Sequence, residues 1–552
     1  MYRLLSILFL CLFIRCTTNT EVDIIVYNAK VYTADSAFSV VEAFAVKNGM
    51  FIDVGKSNEI LKRYSAKEII DAEGKAIFPG FYDSHAHTFL YADLLQQVNL
   101  NGSKSITEIV QRLQEYHAKN PEKKWLVGGG WDQNLWEDSS FPTKDSLDKY
   151  FPDIPVYLSR IDYHAAVVNS KALHIAQLDS AHQVEGGLIA TDSVGNPNGI
   201  LIDNATALVS RFIPEAVGNE LLQHLRQTQD SLFSVGLTSI VDAGLDRNQL
   251  DILQKFYAVD SLKIRNYAML RAEPHNIDRY LRDGVFQSDR LTIRSIKLMA
   301  DGALGSRGAC LLDMYSDTAM TGFLLHAQEE FDRSLKRLAS TNYQVCIHAI
   351  GDSANRVILD LYGKHLGENN KRRWRIEHAQ IVDSADIEKF KRYNVIPSIQ
   401  PTHATSDMYW AADRLGHERL KNAYAYRKLL DQYGKVAIGS DFPVEHFNPL
   451  YGFHAAVARV DKEGFPSGGF QMDQALTREE ALRAMTIWAA YACFQEKNRG
   501  SIEKGKDADF VILDKDIMTI PLDELRDTKT RRTVIAGESV FVRTDKAEPS
   551  QN

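Results

Sequence analysis

The sequence predicts an α/β protein: a TIM-like (β/α)8 barrel, a small β-sandwich domain built from both chain ends, and a large insertion after barrel strand 1. Three observations predict this fold. Short apolar strands alternate with helical segments through the middle of the chain, both ends are rich in strand-length runs, and one interval between strands is very long. Alternating strands and helices indicate a parallel sheet, and eight such units suit a closed barrel.

The eight barrel strands are short and apolar. They are predicted at Phe78–Ser84, Thr238–Ala243, Arg265–Leu270, Ile293–Met299, Gln344–Ile347, Arg373–Ile376, Val395–Ile399 and Lys435–Ile438. Roughly 150 residues separate the first strand from the second, whereas a βα loop usually has about 2–6. The barrel domain is therefore expected to cover residues 78–499 and to include an inserted subdomain at residues 100–235.

Both chain ends carry β-rich segments. Runs such as Asp23–Tyr27 near the start and Asp509–Leu513 near the end are strand-length and bounded by turn residues. Neither end is long enough to bury a convincing core of its own. The two ends are therefore expected to combine into one small β-sandwich made of residues 21–77 and 500–545.

Residues 1–20 have the composition of an export signal. The apolar run Leu4–Ile14 is too short to span a bilayer and is typical of a secretory signal peptide. Cys16 resembles the lipidated cysteine of a bacterial lipoprotein signal, although Arg15 before it departs from that pattern, and an ordinary cleaved signal is the alternative. The protein is expected to be exported, either periplasmic or attached to the cell envelope through a lipid on Cys16.

Composition argues against several partner classes. The net charge is -8 and the pI about 6.1, and no Lys/Arg tract is present, so nucleic acid is not an expected partner. The five cysteines show no CxxC spacing, which argues against a disulfide framework and against a cysteine zinc site. A small-molecule substrate is the expected partner, and a homodimer is left open.

Chemically active side chains follow the predicted barrel strands. They are His85, His87, Lys297, His348, His378 and Asp441. Each has an ordinary structural explanation when taken alone, such as a core histidine, a snorkelling lysine or a helix cap. Six of them in order at strand ends are better explained together, because the C-terminal ends of barrel strands hold active sites. Several imidazoles with one carboxylate suit Zn²⁺ or a similar metal.

Ordered motifs connect these residues to a known family. They are Pro79–His87, Gly130–Gln133, Asp162–Ser170, Ile296–Arg307, Ile376–Gln380, Gly439–Val444 and Gly505–Asp509. Together they resemble the YtcJ-like branch of the amidohydrolase superfamily, amidohydrolase family 3. The resemblance extends over residues 22–542 and includes all the predicted ligand positions.

The resemblance implies roles for the strand-end residues. The metal ligands would be His85, His87, Lys297, His348, His378 and Asp441, and the catalytic set would be Asp441, His378 and Lys297. Lys297 would carry a carboxylate formed from CO2, and Asp441 would act as general base toward a water activated by the metal. One or two Zn²⁺ ions are expected, with Fe or Mn as alternatives. His403, on the loop after strand seven, is left out of the metal set.

The substrate pocket is predicted from aromatic and polar residues in the insert and the strand-end loops. They are Trp131, Asp132, His164, Arg307 and Trp410. Arg307 could bind a substrate carboxylate, or it could pair with Asp301 or another structural acid. Trp131 could equally pack in the core of the insert.

The resemblance implies a hydrolase of non-peptide C–N bonds in a small amide, formamide or cyclic amide. N-acyl-amino-acid deacylation or isomerisation on the same site is an alternative. A lipid-anchored solute-binding protein without catalysis is another, although such a protein would not need Asp441 beside a metal.

Overall fold

The computed structural model describes residues 19–178 and 183–544. Residues 1–18 of the predicted signal peptide, which include Cys16, lie outside the described residues, whereas Thr20 already begins the first strand. Within them, we find no helix that combines the length and the apolar character needed to cross a bilayer.

The chain ends form two sheets, with strands numbered here in chain order. The first has the order β5-β4-β1-β6 and consists of β1 (Thr20–Tyr27), β4 (Ala43–Lys47), β5 (Met50–Gly55) and β6 (Tyr64–Asp71). The second has the order β25-β24-β23-β7-β2-β3 and consists of β2 (Lys30–Tyr32), β3 (Val40–Val41), β7 (Ala76–Pro79), β23 (Phe510–Leu513), β24 (Thr530–Ile535) and β25 (Glu538–Val542).

Apolar side chains join these two sheets. The ring of Phe44 on β4 lies 4.9 Å from that of Phe510 on β23 and 5.1 Å from that of Phe51, centroid to centroid. The two ends of the chain therefore share a core. The boundaries of a separate sandwich domain stay a prediction.

The barrel sheet has the order β22-β21-β20-β19-β18-β16-β15-β8, and its neighbouring strands are parallel. Its strands are β8 (Phe81–Ala86), β15 (Leu237–Leu245), β16 (Arg265–Arg271), β18 (Leu291–Met299), β19 (Gln344–Ala349), β20 (Arg375–His378), β21 (Ile396–Ile399) and β22 (Ala437–Ile438). The short β17 (Phe286–Gln287) pairs with β18 in antiparallel fashion. The predicted eight-stranded barrel is confirmed.

The first predicted barrel strand is divided in the structure. Phe78 and Pro79 belong to β7 of the chain-end sheet, and Gly80 separates them from β8. The Gly80 amide donates to the Asp509 carbonyl at 2.9 Å, and a Cβ at Gly80 would lie 2.3 Å from Thr238 Oγ1. The chain changes sheets at Gly80, where there is no room for a side chain.

The barrel closes by hydrogen bonds between β8 and the segment after β22. The Asp441 amide donates to the His85 carbonyl at 2.7 Å, and the His87 amide donates to the Phe442 carbonyl at 2.9 Å. A Cβ on Gly439 would lie 2.4 Å from the His85 nitrogen, so only glycine permits this approach. The sheet is nearly closed, and closure brings the first and last strand ends together.

The long interval after β8 holds its own sheet, with the order β13-β14-β12-β11-β10-β9. Its strands are β9 (Val98–Asn99), β10 (Leu126–Trp131), β11 (Val156–Arg160), β12 (Ala165–Val168), β13 (Gly187–Thr191) and β14 (Pro197–Asp203). We call residues 95–235 the insert. The exact domain limits predicted from the sequence stay a prediction.

Helices flank the sheets and cover the outside of the barrel. Those up to the insert's end are α1 (Ser57–Arg63), α2 (Thr88–Leu94), α3 (Ile106–Lys119), α4 (Lys144–Tyr150), α5 (Ser170–Ala176), α6 (Ala207–Ser210) and α7 (Gly218–Phe233). The others are α8 (Arg247–Ala258), α9 (Pro274–Asp283), α10 (Gln328–Ala339), α11 (Asp352–Leu366), α12 (Ile387–Arg392), α13 (Pro401–Asp407), α14 (Ala411–Leu420), α15 (Tyr426–Tyr433), α16 (Pro449–Ala458), α17 (Arg478–Ala484) and α18 (Ile487–Ala492). Capping boxes at Asp246/Gln249 and Thr477/Glu480 start α8 and α17.

Candidate metal centre

The six predicted donor residues meet at the C-terminal ends of the barrel strands. Potential ligand atoms of His85, His87 and Asp441 lie within 4.8 Å of one another, and those of His378, His403 and Asp441 do the same. Lys297 Nζ lies 3.1 Å from His85 Nε2, and the rings of His348 and His378 are 4.5 Å apart. Asp441 belongs to both groups and so links them.

His85 is oriented by a buried ion pair. Its Nδ1 lies 2.6 Å from Glu377 Oε2, and Glu377 in turn pairs with Arg375 at 2.7 Å; all three side chains are buried. Burial, with Lys297 nearby, lowers the pKa of His85 to about 4 despite the opposing charge of Glu377. The neutral ring therefore donates from Nδ1 to the carboxylate and leaves Nε2 free as a ligand.

Asp441 is the central carboxylate. Its oxygens lie 3.1 Å from His87 Nε2 and 3.3 Å from His403 Nε2. Burial alone would raise the pKa of Asp441, but the hydrogen bonds from His403 and His87 hold it well below its usual range. Asp441 is therefore ionised at neutral pH.

His403 stands closer to the donors than the sequence suggested. It was left out of the metal set, yet it contacts Asp441 and, at 3.5 Å, Glu445. Burial opposes its charged form, but its hydrogen bonds to Asp441 and Glu445 raise the pKa of His403 to about 10. In this arrangement His403 is a cationic partner of Asp441, and it lies on α13 just after β21, where no local pattern distinguished it as a donor.

Two donors have left-handed backbone. His378 has φ of 73° and Asp441 has φ of 62°, a conformation that costs a non-glycine residue about 1–3 kcal/mol. Such residues are concentrated at functional sites, where the surrounding structure holds them in place. Burial lowers the pKa values of His348 and His378 well below the ordinary value, so both rings are neutral.

The donor set fits a divalent metal. His378 Nδ1 is buried without a hydrogen-bond partner, as expected of an atom that binds an ion. Lys297 is also buried, and burial lowers its pKa, which favours the uncharged amine. Neutral imidazoles and an ionised carboxylate form a nitrogen-and-oxygen set suited to Zn²⁺.

A cavity of about 1160 Å³ opens above these donors. Among the predicted pocket residues, Asp132, His164 and Trp410 line it, together with His87, Lys297, His348, His378 and Asp441. The insert thus forms part of the cavity wall. Sequence reasoning did not single out Arg160 or Asp407, which also line it.

Trp131 does not line the cavity, and the structure favours the alternative of core packing that the sequence left open. Its side chain is fully buried in the insert's core, and its indole N–H donates to the Leu158 carbonyl at 2.8 Å. Trp131 is the last residue of β10 and packs inward, whereas Asp132 follows the end of the strand and lies at the cavity.

Arg307 is also absent from the cavity lining, and the structure favours the alternative of pairing with a structural acid. Its guanidinium pairs with Asp317 at 2.8 Å. Asp301, the acid suggested as an alternative partner, instead accepts backbone N–H groups of Ile350, Gly351 and Cys310 at 2.8–3.0 Å. Arg307 therefore stabilises a loop.

His164 is held at the cavity by Asp203. Its Nδ1 lies 2.7 Å from Asp203 Oδ1, and its ring lies 5.0 Å from that of His348. Burial opposes a charge on His164, but Asp203 raises its pKa above the ordinary value. A Cβ at Gly302 would lie 2.5 Å from the Asp203 carboxylate, so a glycine is needed beside this pair. The free Nε2 of His164 is available to a ligand.

Comparison with known proteins agrees with this geometry. The profile of the amidohydrolase family matches residues 68–541. The chain is 32% identical to amidohydrolase YtcJ of Bacillus subtilis (strain 168) over 509 residues, covering 91% of this chain and 96% of that protein. It is 26% identical to an N-substituted formamide deformylase of Arthrobacter pascens over 550 residues, covering 95% and 99%.

A solved structure has the same fold. The crystal structure of an uncharacterised metal-dependent hydrolase from Pyrococcus horikoshii OT3 matches with a TM-score of 0.74 and 30% identity, covering 90% of this chain and 99% of that one. The family match covers most of the chain, and the barrel and its strand-end donors agree with it. This chain therefore belongs to the amidohydrolase family and is a metal-dependent hydrolase.

Proposed function

We propose that this hydrolase cleaves a non-peptide C–N bond in a small amide, formamide or cyclic amide. The observation that carries the proposal is the convergence of neutral imidazoles, a buried lysine and one ionised carboxylate beneath a cavity large enough for a small molecule. Similarity to an N-substituted formamide deformylase supports the substrate class.

The metal would be held by His85, His87, Lys297, His348, His378 and Asp441, with one or two Zn²⁺ ions favoured and Fe or Mn as alternatives. A bound divalent metal supplies Lewis-acid polarisation and makes a water molecule acidic near neutral pH. Asp441 accepts the proton of the attacking water and returns it to the leaving nitrogen. His403 and His87 hold the Asp441 carboxylate in position for both transfers.

Lys297 has a second role in the proposal. As an uncharged amine its Nζ can bond to the carbon of CO2 and lose one proton, which gives a carbamate with two ligand oxygens. Burial, which lowers the pKa of Lys297, and the 3.1 Å distance to His85 Nε2 favour this reaction beside the other donors. The carbamate would turn a cation into an anionic ligand.

The insert and the segment between α13 and α14 supply the substrate contacts that remain from the sequence prediction. Asp132, His164 and Trp410 border the cavity. With Nδ1 committed to Asp203, His164 can donate from Nε2 to a substrate oxygen. Export, with or without a lipid on Cys16, is likewise part of the proposal.

Metal content and activity test the proposal together. The protein lacking residues 1–20 is expected to contain one or two equivalents of Zn, Fe or Mn by elemental analysis. A His85→Ala/His87→Ala variant should lose the metal and the hydrolysis of a small amide library. A folded, metal-reconstituted protein that hydrolyses no amide, formamide or cyclic amide would remove the proposed reaction.

The carbamate has its own test. Lys297→Ala should lose metal and activity, and acetate or propionate should restore part of both by supplying the missing carboxylate. Reconstitution of the parent protein with metal should improve when bicarbonate is added. If bicarbonate and short carboxylates have no effect, Lys297 acts as an amine and the carbamate is wrong.

The main alternative within the family's chemistry is deacylation of N-acyl amino acids. Such a substrate carries a carboxylate that requires a cation in the cavity. A solute-binding protein without catalysis would keep its ligand affinity after chelation of the metal, whereas the hydrolase should lose its activity.

A further inference from the structure

Three solvent-exposed leucines line the cavity, and we call them the apolar wall. Leu90 and Leu95, in and just after α2, are 37% and 41% exposed, and Leu135, from the insert, is 43% exposed; all three line the cavity. Single exposed leucines are common on protein surfaces. Three large apolar side chains along one cavity indicate a surface that binds an apolar group.

The buried cation Arg160, which also lines the cavity, is fully engaged. Arg160 is only 2% exposed, and its Nε donates to Gln133 at 2.8 Å. One terminal nitrogen donates to Asp162 at 2.5 Å and the other to Asp132. A substrate carboxylate would have to displace two carboxylates that already occupy the guanidinium fork.

Two other cations border the cavity. His403 is paired with Asp441 and Glu445, and Arg271 is exposed to solvent with its Nε bonded to the Gly244 carbonyl. An exposed guanidinium attracts an anion weakly, because water and salt screen its charge. Neither cation offers a buried, unpaired site for a carboxylate.

Carboxylates outnumber cations beside Arg160. Asp132, Asp162, Asp407 and Glu445 all line the cavity. Asp407 accepts a hydrogen bond from Tyr424 at 2.8 Å, and burial raises its pKa to about 7, whereas Glu445 accepts one from Ser406 at 2.6 Å and pairs with His403. The negative charge beside Arg160 therefore comes mainly from Asp132 and Asp162, two carboxylates on one guanidinium. An anion entering here would meet like charges, which disfavour it.

We infer that the substrate is an amide with an apolar arm and no carboxylate, so that the cavity selects against N-acyl amino acids. The inference rests on the proposed hydrolysis and narrows it. Leu90, Leu95 and Leu135 contact the arm, while Asp132 and Asp162, held by Arg160, reject anions and tolerate an ammonium group.

Three formamides of matched length test the charge preference: N-hexylformamide, N-(5-aminopentyl)formamide and 6-formamidohexanoate. With the metal-loaded protein, kcat/KM for the neutral and the cationic probe should exceed that for the anionic probe by at least about tenfold. Asp162→Asn should narrow this gap, and Glu122→Gln, at an exposed acid of the insert outside the cavity lining, should leave it unchanged.

The apolar wall is tested with arm length. Leu135→Gln should lower kcat/KM for N-hexylformamide by about five- to tenfold while N-methylformamide is unaffected. Leu188→Gln is the matched control, because Leu188 is also 43% exposed but lies outside the cavity lining. Equal losses for both arm lengths would mean that Leu135 does not contact the arm.

Failure of the inference differs from failure of the proposed function. Hydrolysis that favours 6-formamidohexanoate, and loses this preference in Arg271→Gln, would overturn the inference and leave the hydrolase intact. If no probe is hydrolysed, calorimetry should measure the affinity of the metal-loaded protein for the same three probes. Tighter binding of the hexyl than of the anionic probe supports the inference, and no binding of the hexyl probe overturns it.

Discussion

The barrel face and the insert border the same cavity but hold their side chains by different means. On the barrel face, the donors stand at strand ends, and buried groups such as Glu377 and Arg375 fix their orientation from below. On the insert, Asp132 and His164 lie on loops and are positioned by Arg160 and Asp203. The position of a strand end follows from the fold, whereas a loop side chain depends on the partner it finds.

The largest expected effect is on the barrel side. Glu377→Ala leaves Arg375 charged and buried without its partner, so the free energy of unfolding should fall by about 3–5 kcal/mol. It also frees His85 Nδ1, so metal affinity should drop about 10- to 100-fold. Urea unfolding and metal titration measure both changes. Stability and metal affinity equal to those of the parent protein would show that the pair does not organise the site.

The second largest effect is expected from a substitution at the closure of the barrel. In Gly439→Ala, the new Cβ would meet the backbone nitrogen of His85, and overpacking of this kind costs about 1–3 kcal/mol. Metal affinity should fall as well, because His85 and Asp441 lie on the two sides of the closure. Gly55→Ala is the control, since nothing lies within 4 Å of the Cβ position there. Similar results for the two variants would contradict the closure argument.

Substitutions of two tryptophans compare the core of the insert with the wall of the cavity. Trp131→Phe removes a buried N–H donor and should lower the free energy of unfolding by about 1–2 kcal/mol with little change in KM. Trp410→Phe, at the cavity, should change KM for a bulky amide more than it changes stability. Unfolding curves and steady-state kinetics of both variants provide the comparison. The reverse pattern would restore Trp131 as a substrate contact.

The smallest expected effect concerns Asp93 in α2, next to the insert. Burial and then the nearby Glu215 raise the pKa of Asp93 to about 6, above its unfolded value near 3.8. The folded state therefore binds the proton more tightly, and stability should fall as pH rises from about 4 to about 6. Asp93→Asn should remove this cost and be more stable than the parent protein by about 1–2 kcal/mol at pH 7.

Unfolding curves at a series of pH values test this expectation. Asp153→Asn, at an exposed acid of the insert, serves as the control and should leave the pH profile unchanged. If the free energy of unfolding of Asp93→Asn depends on pH in the same way as that of the parent protein, the pKa of Asp93 does not change on folding.

The barrel was predictable because its signals are local and repeated. Each apolar strand was followed by a loop or helix, and the donors sat at the same relative position on five strands. The first strand was misjudged at its start, since Phe78–Ser84 reads as one apolar run although Gly80 divides it between two sheets. The hydrophobic pattern predicts burial, and Phe78 and Phe81 are both fully buried although they belong to different sheets.

The barrel and the order of the strand-end donors could be predicted from the chain alone, because period-two strands and strand-end residues follow from the order of the chain. The family was indicated by the resemblance of the ordered motifs. Three outcomes appear only in the folded molecule: His403 contacts Asp441, Trp131 packs in the core, and Arg307 pairs with Asp317. These outcomes depend on contacts between segments far apart in the chain. Long, polar side chains bind whichever partner folding brings within reach, and no local pattern specifies that partner.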